Sequence, residues 1–451
     1  MANNRLESKR EKLSPPEYLS MKVSELVRLY REKKLNLEPA FQRSSVWKPA
    51  QRWKLLDTIF RGYPIPAIFL VERREKRKII YDVIDGKQRL ETIFLFMKLM
   101  PGRKTENGYS ALLTDLDSAS TDSPKRRLAW RQLKANGDER CRLLTQFKIP
   151  INLISADWPL ADEQQVFIRI NSTGTPLSRG ELYNAKFLKS NLLRICTETA
   201  NGLKKKFRDF DVFSEQAIIR KEHVDFIVQL VISILEKRPI DKRKGNEMAL
   251  EKDLYKISDI RKASLKAKNA IQILTRKLLP KNETRFNHVS DFYSLAELIA
   301  ELDDVVALAD DRGIKHARAA LVEFSTRIDE AYEVWRSGGS LGRDKEIRDY
   351  INSVRANSDG RNERLTRHDT LKKYIKDCFP RKDPKRWFSS EQKRIGYARS
   401  TKRCSRCGRS LTFAEFSADH KKPWSKGGRT TLRNEDILCH SCNSTKGNRT
   451  R

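Results

Sequence analysis

Four cysteines within the last 48 residues have the spacing of a metal site. Cys404 and Cys407 form one C-x-x-C pair, and Cys439 and Cys442 form a second after 31 intervening residues. Each pair can present two thiolates from one tight turn, and four thiolates satisfy the tetrahedral coordination of zinc. We therefore predict a structural Zn²⁺ site. Because four thiolates leave no coordination position for a substrate, any catalysis here requires other residues.

Polar residues between and beside these cysteines are of the types that phosphodiester hydrolysis needs. Asp419 and His420 are adjacent, Asn434 follows a Gly-Gly pair, and Asn443 comes directly after the last cysteine. A neutral imidazole can take a proton from water near neutral pH. Carboxylate and amide oxygens suit a hard divalent cation. An isolated Asp-His pair is usually a pair of surface polar residues, so the prediction depends on the whole order of residues.

Residues 404–449 resemble the HNH, or ββα-metal, nuclease motif. The elements D-H-x-x-P, G-G, N, C-x-x-C-N and K-G occur in that order. The resemblance implies that His420 is the general base and that Asn434 orders the loop beside it. It also implies that Asp419 and Asn443 bind a catalytic Mg²⁺ or Mn²⁺. The third letter of the motif is filled by asparagine here, which leaves the choice of metal open.

The basic residues of this region are suited to a phosphate backbone. Residues 381–451 include 19 basic and six acidic residues, a larger basic excess than the chain average. Lys and Arg side chains that neutralise phosphates supply most of the affinity of non-specific DNA binding. We expect Lys421, Lys446 and Arg449 to contact DNA.

The composition of the whole chain also favours a nucleic-acid partner. The 451 residues include 92 Lys and Arg against 59 Asp and Glu, a net charge of +33 that attracts polyanions. No apolar run approaches the roughly 18 residues of a membrane span, so we expect no membrane association. The N-terminus has no secretory signal pattern, and seven cysteines are an odd number. These features favour a reducing, cytoplasmic location over a disulfide framework.

Three short motifs stand out in the first 190 residues. They are F-Q-R at 41–43, I-D-G-K-Q-R at 84–89 and F-I-R-I-N-S-T-G-T-P-L at 167–177. In the second motif, an Asp-Gly turn precedes Gln88 and Arg89 at the expected start of a helix, where amide donors and a guanidinium favour phosphate. The same residues fit an ordinary turn with a capping aspartate, and chemistry alone does not separate these readings.

Together, these motifs resemble the N-terminal domain of GmrSD-type and SspE-type modification-dependent restriction systems, over roughly residues 20–190. The resemblance implies a ParB/sulfiredoxin-like fold and nucleotide binding, often with hydrolysis, that licenses a nuclease. The residues that it assigns to the nucleotide site are Arg43, Asp85, Gly86, Gln88, Arg89, Asn171 and Thr175. The usual signature is D-G-Q-Q-R, and Lys87 replaces its first glutamine with a positive charge.

Residue patterns indicate the elements that position these motifs. Apolar and β-branched runs predict strands at 65–74, 77–85 and 147–155. Caps and apolar spacing predict helices that begin at Ser24, at Pro49 and after Gly86. Residues 101–124, rich in Gly, Ser, Thr and Asp, are expected to form a loop. Residues 215–378 are expected to be helical, with the apolar stripes as core.

We therefore expect an α+β multidomain protein. It would comprise a ParB/sulfiredoxin-like α/β N-terminal domain, an all-helical middle and a small zinc-stapled ββα-metal (HNH) domain. The expected ranges are 1–16 for a flexible leader, 17–190 for the nucleotide-binding sensor domain, 191–380 for the helical middle, 381–403 for a basic linker and 404–451 for the endonuclease domain.

The sequence favours a metal-dependent DNA endonuclease of restriction or antiphage defence, controlled by a nucleotide-binding domain. A nucleoside triphosphate ligand and an NTPase activity follow from the N-terminal resemblance. Two alternatives stay open: a non-catalytic zinc nucleic-acid-binding regulator with a ParB-like domain, and an RNase or toxin. The Asp-His pair and Asn434 favour the nuclease over a plain zinc ribbon, which needs neither. A homo-oligomer is compatible with the sequence, which does not define the oligomeric state.

Overall fold

The computed structural model describes most of the chain, and the account below concerns those residues. They are 13–39, 47–75, 78–100, 111–113, 126–172, 177–242, 246–281, 284–355, 360–447 and 449. The chain divides into two compact units. Unit 1 comprises Met1–Leu188 and Gln216–Glu222, and unit 2 comprises Lys189–Glu215 and His223–Arg451.

Unit 1 is built on a five-stranded mixed sheet. The strands described in unit 1, in this sheet and in a separate pair, are β1 (Glu17–Lys22), β2 (Leu35–Asn36), β3 (Ile68–Glu75), β4 (Lys78–Asp85), β5 (Ala111–Leu113), β6 (Arg126–Leu128) and β7 (Lys148–Ile154). The sheet has the order β1-β7-β3-β4-β2, and β5 and β6 form a separate antiparallel pair. The β1/β7 and β3/β4 pairs are antiparallel, whereas β3/β7 and β2/β4 are parallel.

Helices make up most of the described residues. They are α1 (Val23–Arg31), α2 (Pro49–Phe60), α3 (Lys87–Phe96), α4 (Trp130–Ala135), α5 (Glu139–Gln146), α6 (Leu160–Ser172), α7 (Arg179–Lys186), α8 (Asn191–Asp209), α9 (Glu215–Ile219), α10 (Glu222–Glu236), α11 (Asn246–Lys252), α12 (Ile257–Ile273), α13 (Val289–Leu302), α14 (Asp311–Arg336), α15 (Lys345–Arg355), α16 (Arg361–Ile375), α17 (Ser390–Arg399) and α18 (His440–Lys446). A π-helical turn, Leu274–Leu278, continues α12. The described 3₁₀ turns are Arg285–Asn287, Lys376–Cys378, Trp424–Lys426 and Leu432–Asn434.

Alternation along the strands gives unit 1 two apolar layers. Val83 belongs to the larger core, which includes Leu26 of α1, Leu56 of α2 and Phe94 of α3. The next residue, Ile84, belongs to a smaller core on the other face, covered by α6. Successive strand residues point to opposite faces, so a sheet buried on both faces reads as a continuous apolar run.

Most elements predicted in unit 1 are present. Strands β3, β4 and β7 and helices α2 and α3 occupy the predicted segments, and the helix expected from Ser24 begins at Val23. Strands β1 and β2 were not predicted, because EYLSMK has no clear alternation and β2 has two residues. Strand β5 lies inside the stretch expected to be a loop.

Unit 2 begins as a body of packed helices, as expected for 215–378. Its core contains a cluster of aromatic rings in edge-to-face and tilted contact, among them Phe207, Phe226 and Phe292. The guanidinium of Arg367 is fully buried and donates to Ser294 Oγ and to the carbonyl oxygen of Ser353. Among the described residues, no helix is both long and apolar enough to span a membrane.

Unit 2 ends in a ββα arrangement. Strands β8 (Phe416–His420) and β9 (Glu435–Cys439) form an antiparallel hairpin, and α18 follows β9 directly. Segment 381–403, expected to be a linker, is folded here. It contains α17, whose Tyr397 packs on Phe416 of the hairpin at 5.1 Å between ring centroids. The chain is thus mixed α/β, mostly helical, with a small C-terminal domain.

Candidate functional site

The four cysteines of the C-terminal domain converge. Their sulfur atoms all lie within 4.8 Å of one another, and Cys407 Sγ is 4.0 Å from Cys439 Sγ. Zinc bound tetrahedrally, about 2.3 Å from each thiolate, places the sulfurs about 3.8 Å apart, so the cluster fits structural zinc. Burial alone would raise the pKa of the Cys404 thiol, but N–H donors from Cys407, Cys439 and Arg406 lower it to about 6.

The β8–β9 hairpin is covered by a different segment on each face. Asp419 lies opposite Asp436 in the strand pair, and the side chains of both reach Lys446 of α18. On the other face, the His420 ring packs on Phe388, the residue before the cap of α17, at 4.6 Å between ring centroids. Asp419 and His420 therefore enter different surroundings at the end of one strand, as strand alternation requires.

His420 is buried and held by a defined hydrogen bond. It is 7 % exposed, and its Nε2 lies 2.9 Å from Thr430 Oγ1. Burial lowers the pKa of His420 below its ordinary value, with Asp419 opposing and Lys446 adding to the effect. The imidazole is therefore neutral at neutral pH, which is the form that a general base requires.

Asn434 clamps the loop that follows His420. Its Oδ1 accepts from the backbone N–H of Lys422 at 2.9 Å, and its Nδ2 donates to the carbonyl oxygens of Lys422 and Arg429 at 3.1 and 2.9 Å. Gly428 is close-packed here, because a Cβ at this position would overlap the Lys422 carbonyl oxygen and lie 2.9 Å from Asn434 Nδ2. The residue lies where the sequence resemblance expected a loop-ordering asparagine.

Asp419 pairs with a buried lysine. Lys446 Nζ is 2.7 Å from Asp419 Oδ2 and 3.6 Å from Asp436 Oδ2, and it donates to the carbonyl oxygen of His420 at 2.6 Å. Its side chain is 7 % exposed. The expectation that Lys446 contacts DNA is therefore revised, because its ammonium group neutralises two carboxylates inside the domain. Lys421 and Arg449 are exposed, as phosphate contacts require.

Asn443 and Asp419 are the residues from which the sequence resemblance expects oxygen donors for a catalytic cation. Asn443 is half-buried on α18, three residues before Lys446 and so on the same face of the helix. Mg²⁺ commonly takes one or two protein oxygens and keeps its remaining positions for water and phosphate, so this small donor set fits such an ion. Apart from the cysteines, no group of three or more His, Cys, Asp or Glu ligands converges in the described part of the chain.

The loop after His420 is docked on the helical body of unit 2. Lys426 pairs with Asp311 at the start of α14 at 2.9 Å, and Lys422 lies 3.5 Å from Asp310. A Cβ at Gly427 would lie 2.9 Å from Pro380 Cγ. The loop after His420 thus contacts residues outside the HNH motif through Lys422, Lys426 and Gly427.

In unit 1, the structure brings four of the proposed nucleotide-site residues together. Asp85 ends β4, Gly86 precedes α3 with a φ of 93°, and Gln88 and Arg89 lie in the first turn of α3. Arg89 Nη2 donates to Asp85 Oδ2 at 2.6 Å and to the carbonyl oxygen of Ala67 at 3.1 Å. Gln88 Oε1 accepts from the backbone N–H of Trp47 at 2.7 Å.

The glycine at this junction is required by its geometry. A positive φ favours glycine, and a Cβ on Gly86 would also lie 2.7 Å from Ile68 Cγ1. Lys87, the departure from the usual signature, is buried, with Glu38 and Glu91 at 3.6 and 3.9 Å. Its charge is therefore balanced inside unit 1.

The other three residues proposed for the nucleotide site are not among those at the β4–α3 junction. The Asn171 side chain is buried and donates to the carbonyl oxygen of Phe167, one turn earlier in α6. Arg43 and Thr175 lie outside the described residues. The whole F-Q-R motif at 41–43 also lies outside the described residues.

The C-terminal geometry defines a class of protein: a ββα module with a four-cysteine cluster and a buried histidine at the end of its first strand. Residues 404–449 match the family described as HNH endonuclease. Residues 23–188 match the family described as GmrSD restriction endonuclease, N-terminal domain. The chain therefore joins a GmrSD-type N-terminal domain to an HNH endonuclease domain, which confirms both resemblances.

These two matches support a nuclease in restriction or defence, for which DNA is the implied substrate. No curated protein matches the chain.

Sequence reasoning missed four residues around His420, of which only Thr430 lies within the HNH motif. They are Asp383, Lys385, Phe388 and Thr430. Three of them lie in the segment interpreted as a linker because of its charge. The aromatic residues Phe388 and Tyr397, spaced among the basic ones, were the available signal that part of this segment packs on a domain.

Proposed function

We propose that this protein is a divalent-metal-dependent DNA endonuclease whose general base is His420. The observation that carries the proposal is the placement of His420, buried and neutral at a strand end beside Asp419, in a hairpin closed by four cysteines. In this account, zinc only holds the module together. Asp419 and Asn443 would hold a divalent cation, which would supply positive charge to offset the negative charge developing on the phosphate and the leaving oxygen.

In this proposal, each residue of the site has a separate role in hydrolysis. His420 accepts a proton from the attacking water, which adds to phosphorus as the phosphodiester bond breaks. Asn434 fixes the loop that runs from Lys422 to Arg429, and Lys446 balances the two acidic side chains that flank it. Lys421 and Arg449 bind the DNA backbone through phosphates, so binding weakens as salt rises.

We also propose that unit 1 is a nucleotide-binding sensor domain with a ParB/sulfiredoxin-like fold. The five-stranded mixed sheet supports the fold, and the Asp85–Arg89 junction at the start of α3 supports the ligand. A helix N-terminus offers N–H donors to a phosphate, and Arg89 offers a guanidinium. Nucleotide binding there would license cleavage, and release of inorganic phosphate from ATP or GTP tests for hydrolysis.

The experiment that tests this function is a cleavage panel with the purified full-length chain. Supercoiled duplex DNA, DNA with modified bases or phosphorothioate linkages, single-stranded DNA and RNA are each incubated with Mg²⁺, Mn²⁺ or EDTA, with and without ATP or GTP. We expect cleavage of duplex DNA that requires the divalent cation and responds to nucleotide.

Two results would contradict the proposal. Tight DNA binding without cleavage under every condition would favour the non-catalytic zinc regulator. Cleavage confined to RNA would favour the RNase or toxin. If DNA is cut equally with and without nucleotide, the endonuclease stands and the sensor role of unit 1 fails.

A further inference from the structure

The environment of His420 determines which of its two ring nitrogens can act as the base. The Thr430 hydroxyl lies 2.9 Å from His420 Nε2 and also contacts the carbonyl oxygen of Lys385. A carbonyl oxygen can only accept, and a hydroxyl has one hydrogen to give. The Thr430 hydrogen therefore goes to Lys385, and Thr430 Oγ1 must accept a hydrogen from His420 Nε2.

We propose that Thr430 is the positioning residue of the catalytic base. With hydrogen on Nε2, the lone pair of the neutral imidazole is on Nδ1, and Nδ1 is the atom that takes the proton from water. The chain of bonds runs from His420 Nε2–H to Thr430 Oγ1, and from the Thr430 hydroxyl to the Lys385 carbonyl. When Nδ1 accepts the proton, the imidazolium keeps its bond to Thr430. This inference rests on the proposed role of His420.

Thr430 is itself fixed by a segment outside the HNH motif. Asp383 Oδ2 accepts from the backbone N–H of Thr430 at 3.0 Å, and Asp383 Oδ1 accepts from the backbone N–H of Lys385 at 2.9 Å. These N–H donors lower the pKa of the Asp383 carboxyl, so it stays ionised as an acceptor. Asp383 thus holds both ends of the Thr430–Lys385 contact, while Phe388 packs on the His420 ring.

The same segment is anchored to the helical body. The backbone N–H of Lys382 donates to the carbonyl oxygen of Val305, and the backbone N–H of Ala307 donates to that of Pro380, both at 2.9 Å. The Trp424 indole N–H donates to the carbonyl oxygen of Asp383. Within unit 2, residues 380–388 therefore link the segment between α13 and α14 to His420 through a short series of hydrogen bonds.

Two variants of the full-length chain separate the hydroxyl of Thr430 from its shape. Thr430→Val keeps the side-chain volume and removes the hydroxyl, and Thr430→Ser keeps the hydroxyl. Thr412→Val is the matched control, because Thr412 is exposed in the same domain and, among the described residues, its hydrogen bonds are with Glu415 of its own turn. Zinc content and thermal unfolding are measured for each variant, so that a misfolded domain is recognised.

The first readout is the single-turnover cleavage rate of bound DNA, on the substrate and metal that support cleavage by the unmodified protein. We expect Thr430→Val to reduce the rate about 10- to 100-fold, as loss of an orienting partner commonly does, with the dissociation constant for DNA within twofold. Thr430→Ser should recover most of the rate, and Thr412→Val should retain it. A Thr430→Val rate equal to that of the unmodified protein would overturn the proposal, and so would a Thr430→Ser rate as low as that of Thr430→Val.

The second readout does not depend on activity. In the protein labelled with ¹⁵N-histidine, two-bond ¹H–¹⁵N correlations distinguish the two neutral tautomers, and the spectrum of His420→Ala assigns the His420 signals. We expect hydrogen on Nε2 in the unmodified protein and a mixture of tautomers in Thr430→Val. Hydrogen on Nδ1 in the unmodified protein would overturn the proposal. If His420→Ala still cuts DNA, the proposed function fails, and this spectrum still decides the tautomer.

Discussion

The adjacent side chains of Asp419 and His420 point to opposite faces of the hairpin, as strand alternation requires. Asp419 faces α18, where Lys446 balances its charge and Asn443 offers an oxygen on the same helical face. His420 faces the opposite layer, where Phe388 and Thr430 bury and orient the ring. The two adjacent polar residues thus lie in different surroundings, each with its own supporting contacts, and in the proposed function one is a metal ligand and the other the base.

The buried ammonium of Lys446 leads to a prediction about stability. Lys446→Met leaves Asp419 and Asp436 facing each other without the Lys446 ammonium group, so in metal-free buffer we expect the free energy of unfolding to fall by about 3 kcal/mol. The dependence of DNA affinity on salt should not change, because Lys446 does not reach the surface. Thermal unfolding and DNA affinity measured over a salt series test both statements.

Lys421 is the matched comparison, since it is an exposed lysine of the same domain. We expect Lys421→Met to reduce the slope of log affinity against log salt by about one, with unfolding unchanged. A Lys446→Met protein with normal stability and a reduced salt slope would reverse the roles given to these two lysines.

At the scale of elements, the loop between β8 and β9 depends on a glycine that the motif only suggested. Gly428 lies against the Lys422 carbonyl oxygen and the Asn434 amide. We expect Gly428→Ala to break the Asn434 clamp and reduce DNA cleavage at least about tenfold, with a lower melting temperature.

The control for this substitution is Gly202→Ala in α8, where an added Cβ meets nothing within 4 Å. It should leave cleavage unchanged and raise stability slightly, because alanine favours a helix by about 1 kcal/mol over glycine. Equal cleavage by both variants would show that the loop does not need the close approach at Gly428.

Helices α13 and α16 of the helical body contain a pH-sensitive contact. Burial lowers the pKa of His368, but hydrogen bonds and charges from Glu301, Glu297 and Asp369 outweigh it and raise the pKa above the ordinary value. The hydrogen bond from His368, aided by Lys372, lowers the pKa of Glu301 to about 2 against burial. His368 Nε2 and Glu301 Oε2 are 2.8 Å apart.

The sign of the effect follows from linkage. A raised folded-state pKa means that protonated His368 stabilises the fold fully below its unfolded pKa of about 6.5, and that this stability is lost as pH rises through the folded pKa. We expect the melting temperature to fall more steeply with pH between about 6 and 8 than in His368→Gln, with exposed His316→Gln behaving as the unmodified protein. Identical pH profiles for all three proteins would contradict this account.

Some elements of the fold could be predicted from the sequence and others could not. The helical body and strands β3, β4 and β7 follow from apolar periodicity, and the cysteine spacing predicted the cluster that the structure contains. Helix α17 did not follow, because basic residues dominate 381–403 and only Phe388 and Tyr397 reveal its packing. Thr430, Asp383 and Lys385 contact His420 or one another across long separations in the chain, and no local pattern encodes such contacts.

For the whole molecule, charge and family matches give a consistent picture. A net charge of +33 suits an enzyme that holds DNA through phosphates, and the family matches lie in different units of the chain. In the proposed function, nucleotide bound at the β4–α3 junction of unit 1 would control DNA cleavage by unit 2.

A substitution in unit 1 tests this division. Arg89→Met removes the guanidinium at the junction, so we expect nucleotide affinity to fall at least about tenfold, the cost of one charged hydrogen bond. Calorimetric titration with ATP and GTP measures the affinity, and exposed Arg28→Met on α1 is the control. Unchanged nucleotide affinity in Arg89→Met would remove this junction as the binding site.

The most direct measurement of the central claim compares two histidine variants. His420→Ala and His316→Ala, an exposed residue of α14, are each saturated with duplex DNA and given Mg²⁺ or Mn²⁺, and the cleavage rate is followed in a single turnover. The account predicts that His420→Ala binds DNA normally and cuts at least about 100-fold more slowly, since general-base catalysis contributes about 10²–10⁴, while His316→Ala cuts at the unmodified rate. Cleavage by His420→Ala at the rate of His316→Ala would contradict the claim that this histidine is the base of the nuclease.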